Sequence, residues 1–231
     1  MQNNDAAASP ASWDDLWRTV GESFLGGIHH ALNNRVAALS AIAQVLGAGM
    51  PDATPLVAAL SGEVERLEQT VALISHLRRS RARTPEPIQL PELVASLLPI
   101  LPQHGDLKEI EFVADPGPGI IPVYAERDLL TRVLLVLMTS AGVSADCLGG
   151  GRVRVSFTGD DVAVTARIAC EPAANDRRGP VGDGTARLDA HAASEAVREM
   201  LGEMRTVESA SGTGYELRLP TLLTARRNEG A

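Results

Sequence analysis

A chain of 231 residues with 45% hydrophobic content and a formal charge of −8 has room for one large domain or two small ones. The acidity argues against general nucleic-acid binding and against an anionic membrane surface. No apolar run approaches the roughly 20 residues of a membrane span, and no signal-peptide pattern opens the chain, so the protein reads as soluble and cytoplasmic. Aromatic content of 3% leaves the core to Leu, Val, Ala and Ile. Cys147 and Cys170 lack the spacing of a metal site and read as free thiols, and no bound metal is expected.

Met1 to Ser12 is polar, Ala-rich and aperiodic, and reads as disordered. Trp13, Leu16, Trp17, Val20 and Phe24 start a helical period that leads into Phe24 to Leu46. There Leu25, Ile28, Leu32, Leu39, Ile42 and Leu46 recur at three- and four-residue intervals, with Arg35 in one slot: a seam of coiled-coil type. On that heptad frame His30 lies farthest from the seam and His29 beside it. Asn34 follows His30 by one turn, and Gly27, Ala37 and Ala41 share its side. A solvated helix face normally carries Lys, Glu and Arg. This one carries small residues around one His and one Asn, which reads as a docking face with a reactive imidazole at its centre. Gly21, Gly26 and Gly27 each cost about 1 kcal/mol relative to Ala in a helix. They serve either a close approach of another chain or a bend before His30.

The helix should stop near Gly47, and Thr54 with Pro55 should open a second one running to about Arg81. Its Val57, Leu60, Val64, Leu67, Val71 and Ile74 form another seam, while Glu63, Glu65, Arg66 and Glu68 are expected on its outside. Two antiparallel helices cannot bury two continuous seams between themselves, so a homodimeric four-helix bundle is the simplest solution. A basic run closes the helix, and TPEPIQL is a proline-punctuated linker. Beyond it come a short helix over Pro91 to Leu101, a strand over Glu109 to Ala114, and a loop over Asp115 to Ile121. A broad-faced helix over Glu126 to Val143 follows. Arg152 to Phe157 and Val162 to Ile168 alternate as a hairpin. A helix near Asp189 to Met204 precedes strands at Arg205 to Ser209 and Tyr215 to Leu219, and the terminal ARRNEGA reads as a frayed tail. The pattern predicts an α+β layer, a sheet covered on one face by helices.

The order of these parts resembles a bacterial sensor histidine kinase core. His30-Ala31-Leu32-Asn33-Asn34 is similar to the phosphoacceptor box, Asp115 to Ile121 with the helix after it is similar to the approach to the nucleotide-binding helix, and AVREM and SGTGYELRLP are similar to the last helix and final strand of the ATPase domain. The resemblance implies a long antiparallel helical hairpin (a four-helix bundle in a dimer) followed by an α/β sandwich of the histidine kinase ATPase type. Its boundaries here are 1–12 disordered N-terminus, 13–83 dimerisation and phosphoacceptor hairpin, 84–90 linker, 91–221 degenerate ATPase-like domain and 222–231 tail.

The departures are as informative. The position matching the magnesium-holding Asn is Ser140, and the other Asn of that box falls at Val136. The adenine-reading Asp-x-Gly-x-Gly is replaced by Ala169-Cys170-Glu171-Pro172, and the Gly-rich phosphate loop by Ala190-His191-Ala192-Ala193-Ser194. Gly182-Asp183-Gly184 reads as a plain turn. The acidic neighbour that assists proton removal is Ala31. The resemblance and its lesions together imply a dimeric histidine phosphotransferase in a phosphorelay, using no ATP and no cofactor of its own, with magnesium supplied by the partner. The partners are response-regulator receiver domains, with neither nucleic acid nor membrane. His30 and Asn34 are the catalytic candidates; Gly27, Ala31, Asn33, Ala37 and Ala41 form the partner-binding face. The alternatives are a non-catalytic pseudokinase scaffold and a divergent kinase or phosphatase. His76, His104, His191, Arg177 and Arg178 read as solvated surface residues.

Overall fold

The computed structural model describes residues 12–48, 54–77, 84–147, 151–172, 190–209 and 212–229. The disorder expected over 1–11, the end of the second helix, the basic run over 78–83, Arg177, Arg178 and the Gly182 to Gly184 turn lie outside these residues. Helix α1 spans Trp13–Gly47 without a break. Ser12, expected to be disordered, caps it: the Ser12 hydroxyl accepts the Asp15 N–H at 3.2 Å, and Asp14 and Asp15 sit where the helix dipole favours negative charge. Helix α2 spans Thr54–Leu77 and packs against α1.

The second half begins in the stretch read as a linker. Strand β1 (Glu86–Ile88) pairs antiparallel with β3 (Val123–Ala125), and Ile88 is buried. Helix α3 covers Leu90–Leu97 and gives way to 3-10 turns at Leu98–Gln103 and Gly105–Leu107, because the prolines at 99 and 102 interrupt the α-helical hydrogen-bond ladder. Strands β2 (Glu111–Asp115), β4 (Gly151–Gly159), β5 (Ala163–Pro172), β6 (Glu203–Ser209) and β7 (Gly212–Pro220) form a five-stranded sheet in the order β2-β4-β5-β7-β6. The β2–β4 pairing is parallel and the rest antiparallel. Helix α4 (Arg127–Cys147) lies on the sheet, and α5 (Ala190–Glu199) packs beside it. The expected frayed tail is instead helix α6 (Leu222–Glu229), whose first turn is tied to Thr221: the Thr224 N–H donates to the Thr221 hydroxyl, and the Ala225 N–H to the Thr221 carbonyl.

The sheet alternates as a half-covered sheet must. Val153, Val155, Phe157, Val164, Ala166, Ile168, Leu217 and Leu219 point into the core under α4. On the opposite face Arg152 pairs with Glu111 at 2.7 Å, and Arg154 with Glu171 at 2.6 Å. This is the predicted α+β layer, preceded by the predicted antiparallel helical hairpin.

One feature contradicts the heptad frame. In the N-terminal half of α1 the buried residues are Leu16, Val20, Phe24 and Ile28, at four-residue spacing, and Leu25 of the expected seam is 48% exposed. The four buried side chains belong to one continuous core with α3, α4, α5 and the sheet. The reason is that α1 packs on the 3-10 turns, α4 and α5 as well as on α2, whose Leu77 reaches back beside Trp17, Gly21 and Leu25, while Leu32, Leu39, Ile42 and Leu46 are half-buried. Trp17 adds a polar clasp to the first interface, its ring 5.5 Å from the Arg132 guanidinium of α4.

Candidate functional site

His30 is exposed, and so is Asn34 one turn later. The Asn34 side-chain amide donates to His30 Nε2 at 3.1 Å. An amide –NH2 can only donate, so this pairing suits the tautomer with the lone pair on Nε2 and the proton on Nδ1. The helix spacing therefore does two things: it puts the imidazole at the surface, and it sets the Asn34 amide one turn on, beside Nε2. Ala31 places no carboxylate beside it.

The wall opposite His30 comes from far along the chain. An open cleft of about 490 Å³ is lined by Gly26, Gly27, His30, Ala31, Asn34 and Arg35 on α1 and by Pro102 to Asp106 and Lys108 on the 3-10 turns. Gly27 explains how the turns come so close. A Cβ there would overlap the Gln103 carbonyl, so only glycine lets that main chain lie against the helix. The approach comes from the chain's own second half, and α1 runs straight through the position. Next to it His104, expected to be solvated, is buried, edge-on to Phe24 with ring centroids 5.4 Å apart. Its Nδ1 accepts the Asp106 N–H at 3.3 Å. Burial holds its pKa below 6.5, with Asp106 opposing.

The cleft gathers both catalytic candidates, His30 and Asn34, and, of the residues expected on the partner face, Gly27 and Ala31. Gly27 has its open side covered by Gln103. Asn33, Ala37 and Ala41 are exposed on α1 outside the cleft lining. Arg35, in its slot of the seam, is half-buried between the two hairpin helices. It bridges to α2, 3.2 Å from Glu63, which is enclosed between Arg35 and Arg66 and so does not belong to the solvated outside expected for it. The turn residues Gln103, Asp106 and Lys108 were missed from sequence, since nothing in a short polar loop some 70 positions away marks it as facing His30.

The positions that the resemblance assigned to nucleotide are packed otherwise. Val136 is buried in the middle of α4, and the Ser140 hydroxyl lies 2.6 Å from the Tyr215 hydroxyl, both enclosed. Strand β5 runs on through Ala169 to Pro172. There Cys170 donates to the carbonyls of Ala141 and Thr213, and burial pushes its thiol up to about 11. Glu171 is held by Arg154, which keeps its carboxyl below the usual range. Ala192 and Ala193 are buried in α5. Among the described residues no three His, Cys, Asp or Glu side chains gather as metal ligands would, and no helix is long and apolar enough to cross a membrane.

The fold and site thus define a helical hairpin with an outward histidine, joined to a helix-covered mixed sheet. No protein-family model and no curated protein matches the chain. Among solved structures it is similar to the Acinetobacter baumannii histidine kinase AdeS, at 17% identity over 84% of this chain and 98% of that one, with a TM-score of 0.46. It is similar to the histidine kinase ThkA in complex with the response regulator protein TrrA, at 16% identity over 85% and 60%, TM-score 0.47. It is also similar to a bacterial phosphotransferase, at 12% identity over 86% and 95%, TM-score 0.45.

Proposed function

We propose that this chain is a histidine-containing phosphotransfer protein of a two-component phosphorelay, passing a phosphoryl group between His30 and receiver-domain aspartates without ATP, and working as a homodimer. The observation that carries the reading is the exposed His30 imidazole, its Nε2 3.1 Å from the Asn34 amide, at the mouth of a polar cleft. Nε2 attacks the phosphorus of the receiver's aspartyl phosphate. The bond from phosphorus to the carboxylate oxygen breaks, the carboxylate leaves with the electron pair, and the Nδ1 proton is shed to water. With the lone pair on Nε2, the tautomer that suits the Asn34 amide, no base is needed where Ala31 stands. The Asn34 amide, released from Nε2, turns to donate to a phosphoryl oxygen. Transfer of this kind is mostly alignment and charge neutralisation, and the receiver supplies the magnesium.

The reading without ATP is supported by packing. Among the described residues, the positions matching the magnesium and adenine ligands offer none of them: Ser140 spends its hydroxyl on Tyr215, Val136 has no ligand atom, and Glu171 is tied to Arg154. The homodimer is supported by what α1 leaves open on α2. Leu60, Leu67 and Ile74 are half-buried against the hairpin partner, whereas Val57, Val64 and Val71 are 51%, 41% and 50% exposed, a seven-residue apolar stripe that a second copy would cover.

The test is incubation, in ATP-free buffer, with receiver domains phosphorylated by acetyl phosphate and then desalted. Acid-labile phosphate is expected on the wild-type protein and none on His30→Ala, with receiver binding retained. An unlabelled wild type that still binds receivers would leave the scaffold reading, and nucleotide bound tightly enough to shift thermal unfolding would restore the kinase reading.

A further inference from the structure

We propose that Lys108 is a positioning residue for the phosphoryl group carried by His30, its ammonium engaging the phosphoryl oxygens from the opposite wall of the cleft. The inference rests on the phosphotransfer reading of His30 and adds to it a residue from the second half of the chain. Lys108 is the one lysine of this protein; the other 20 of its 21 basic residues are arginines. That lysine lines the same cleft as His30 and Asn34.

Charge accounting in the cleft singles it out. A phosphoryl group brings roughly two negative charges into a protein whose net charge is already −8, beside a lining that includes the Asp106 carboxylate. The other permanent cation of the lining, Arg35, is engaged with Glu63 at 3.2 Å. Lys108 makes no ion pair among the described residues and its side chain is exposed. Its backbone is nonetheless held, because Leu107 and Ile110 are buried to either side of it and the Gln103 carbonyl is seated on Gly27. A fixed stem with a free head suits the task. An ammonium is a compact charge with three rotatable donors, so it can follow oxygens that move as phosphorus passes from oxygen to nitrogen, which the planar fork of an arginine does less well. Phosphoryl transfer is accelerated by such neutralisation of the oxygens in the transition state.

The single lysine also makes the experiment clean. Reductive methylation with 13C-formaldehyde preserves the charge and labels one side chain besides the N-terminal amine. Phosphorylating His30 with potassium phosphoramidate is expected to shift the Lys108 methyl resonance in the wild type and to leave it in place in His30→Ala. In single-turnover transfer from a receiver phosphorylated with acetyl phosphate, Lys108→Ala is expected to be about tenfold slower, the scale of a lost charge-assisted hydrogen bond. Lys108→Arg should recover most of the rate, with receiver affinity and thermal unfolding nearly unchanged in both variants. A resonance unmoved in phosphorylated wild type, or a Lys108→Ala rate equal to wild type, overturns the role of Lys108 and leaves that of His30 standing. A wild type that takes no phosphoryl group on His30 from either donor overturns both.

Discussion

The two halves of α1 have different fates, and the less apolar one is the better buried. In the first, Leu16, Val20, Phe24 and Ile28 are sealed into the core of the second half of the molecule; in the second, Leu32, Leu39, Ile42 and Leu46 are only half-covered by one neighbouring helix. His30 stands where one regime passes into the other. The difference teaches that this helix is at once a rigid member of the sheet domain and an exposed arm. A residue at the junction combines an exposed side chain with a backbone locked by packing, which is what positioning a reactive group requires.

Mutations can break or sharpen that contrast. The largest effect is expected from Phe24→Ala, which removes a wholly buried ring and its edge contact to His104 and should cost about 3–5 kcal/mol in urea unfolding. Leu39→Ala, in the half-covered region, should cost well under half as much. Next come adjacent glycines with opposite signs. Gly27→Ala forces the Gln103 main chain off the helix and should lose about 1–3 kcal/mol, and it should slow phosphoryl acceptance by misplacing the far wall of the cleft. At Gly26 an added Cβ meets nothing within 4 Å, so Gly26→Ala should gain up to about 1 kcal/mol from helix propensity. Equal signs for the two would mean the turns are not seated on α1. The proposed dimer is tested at the exposed arm: Val64→Glu puts a charge into the α2 stripe and should yield a folded monomer by analytical ultracentrifugation, whereas the same charge at exposed Glu65 is native and harmless.

The smallest effect concerns pH. Burial lowers the folded pKa of His104 below 6.5, so the folded state prefers it neutral. When the folded pKa is the lower one, the unfolded chain binds the proton more readily. Stability is therefore full above about pH 6.5 and declines as pH falls below it toward the folded value. His104→Gln should flatten that decline in thermal unfolding between pH 7 and pH 5. A variant with the wild-type slope would place the acid sensitivity elsewhere.

Much of this was legible in the sequence. The 3-4 spacing of leucines and valines marked both hairpin helices, the alternation from Arg152 to Phe157 and from Val162 to Ile168 marked the central β-hairpin, and the heptad frame put His30 and Asn34 on an exposed face. Each is a local pattern, set by the period of one element. The short strand β1 was not legible, because three residues carry no period and its pairing with β3 joins segments far apart. Helix α6 was missed because its polar sequence gains its anchor from Thr221 and from the sheet beneath it.

By itself the sequence determined which stretches are helices or strands, and that an imidazole and an amide stand one turn apart on a helix face, since those facts follow from residue spacing alone. Only the tertiary structure decided which side of α1 is buried, why Gly27 must be glycine, that His104 is enclosed, and that Lys108 and His30 line one cleft. These depend on main chains distant in sequence being brought within van der Waals reach, and the cost of an overlap or an unpaired charge is set there by the neighbour, not by the residue's own propensity.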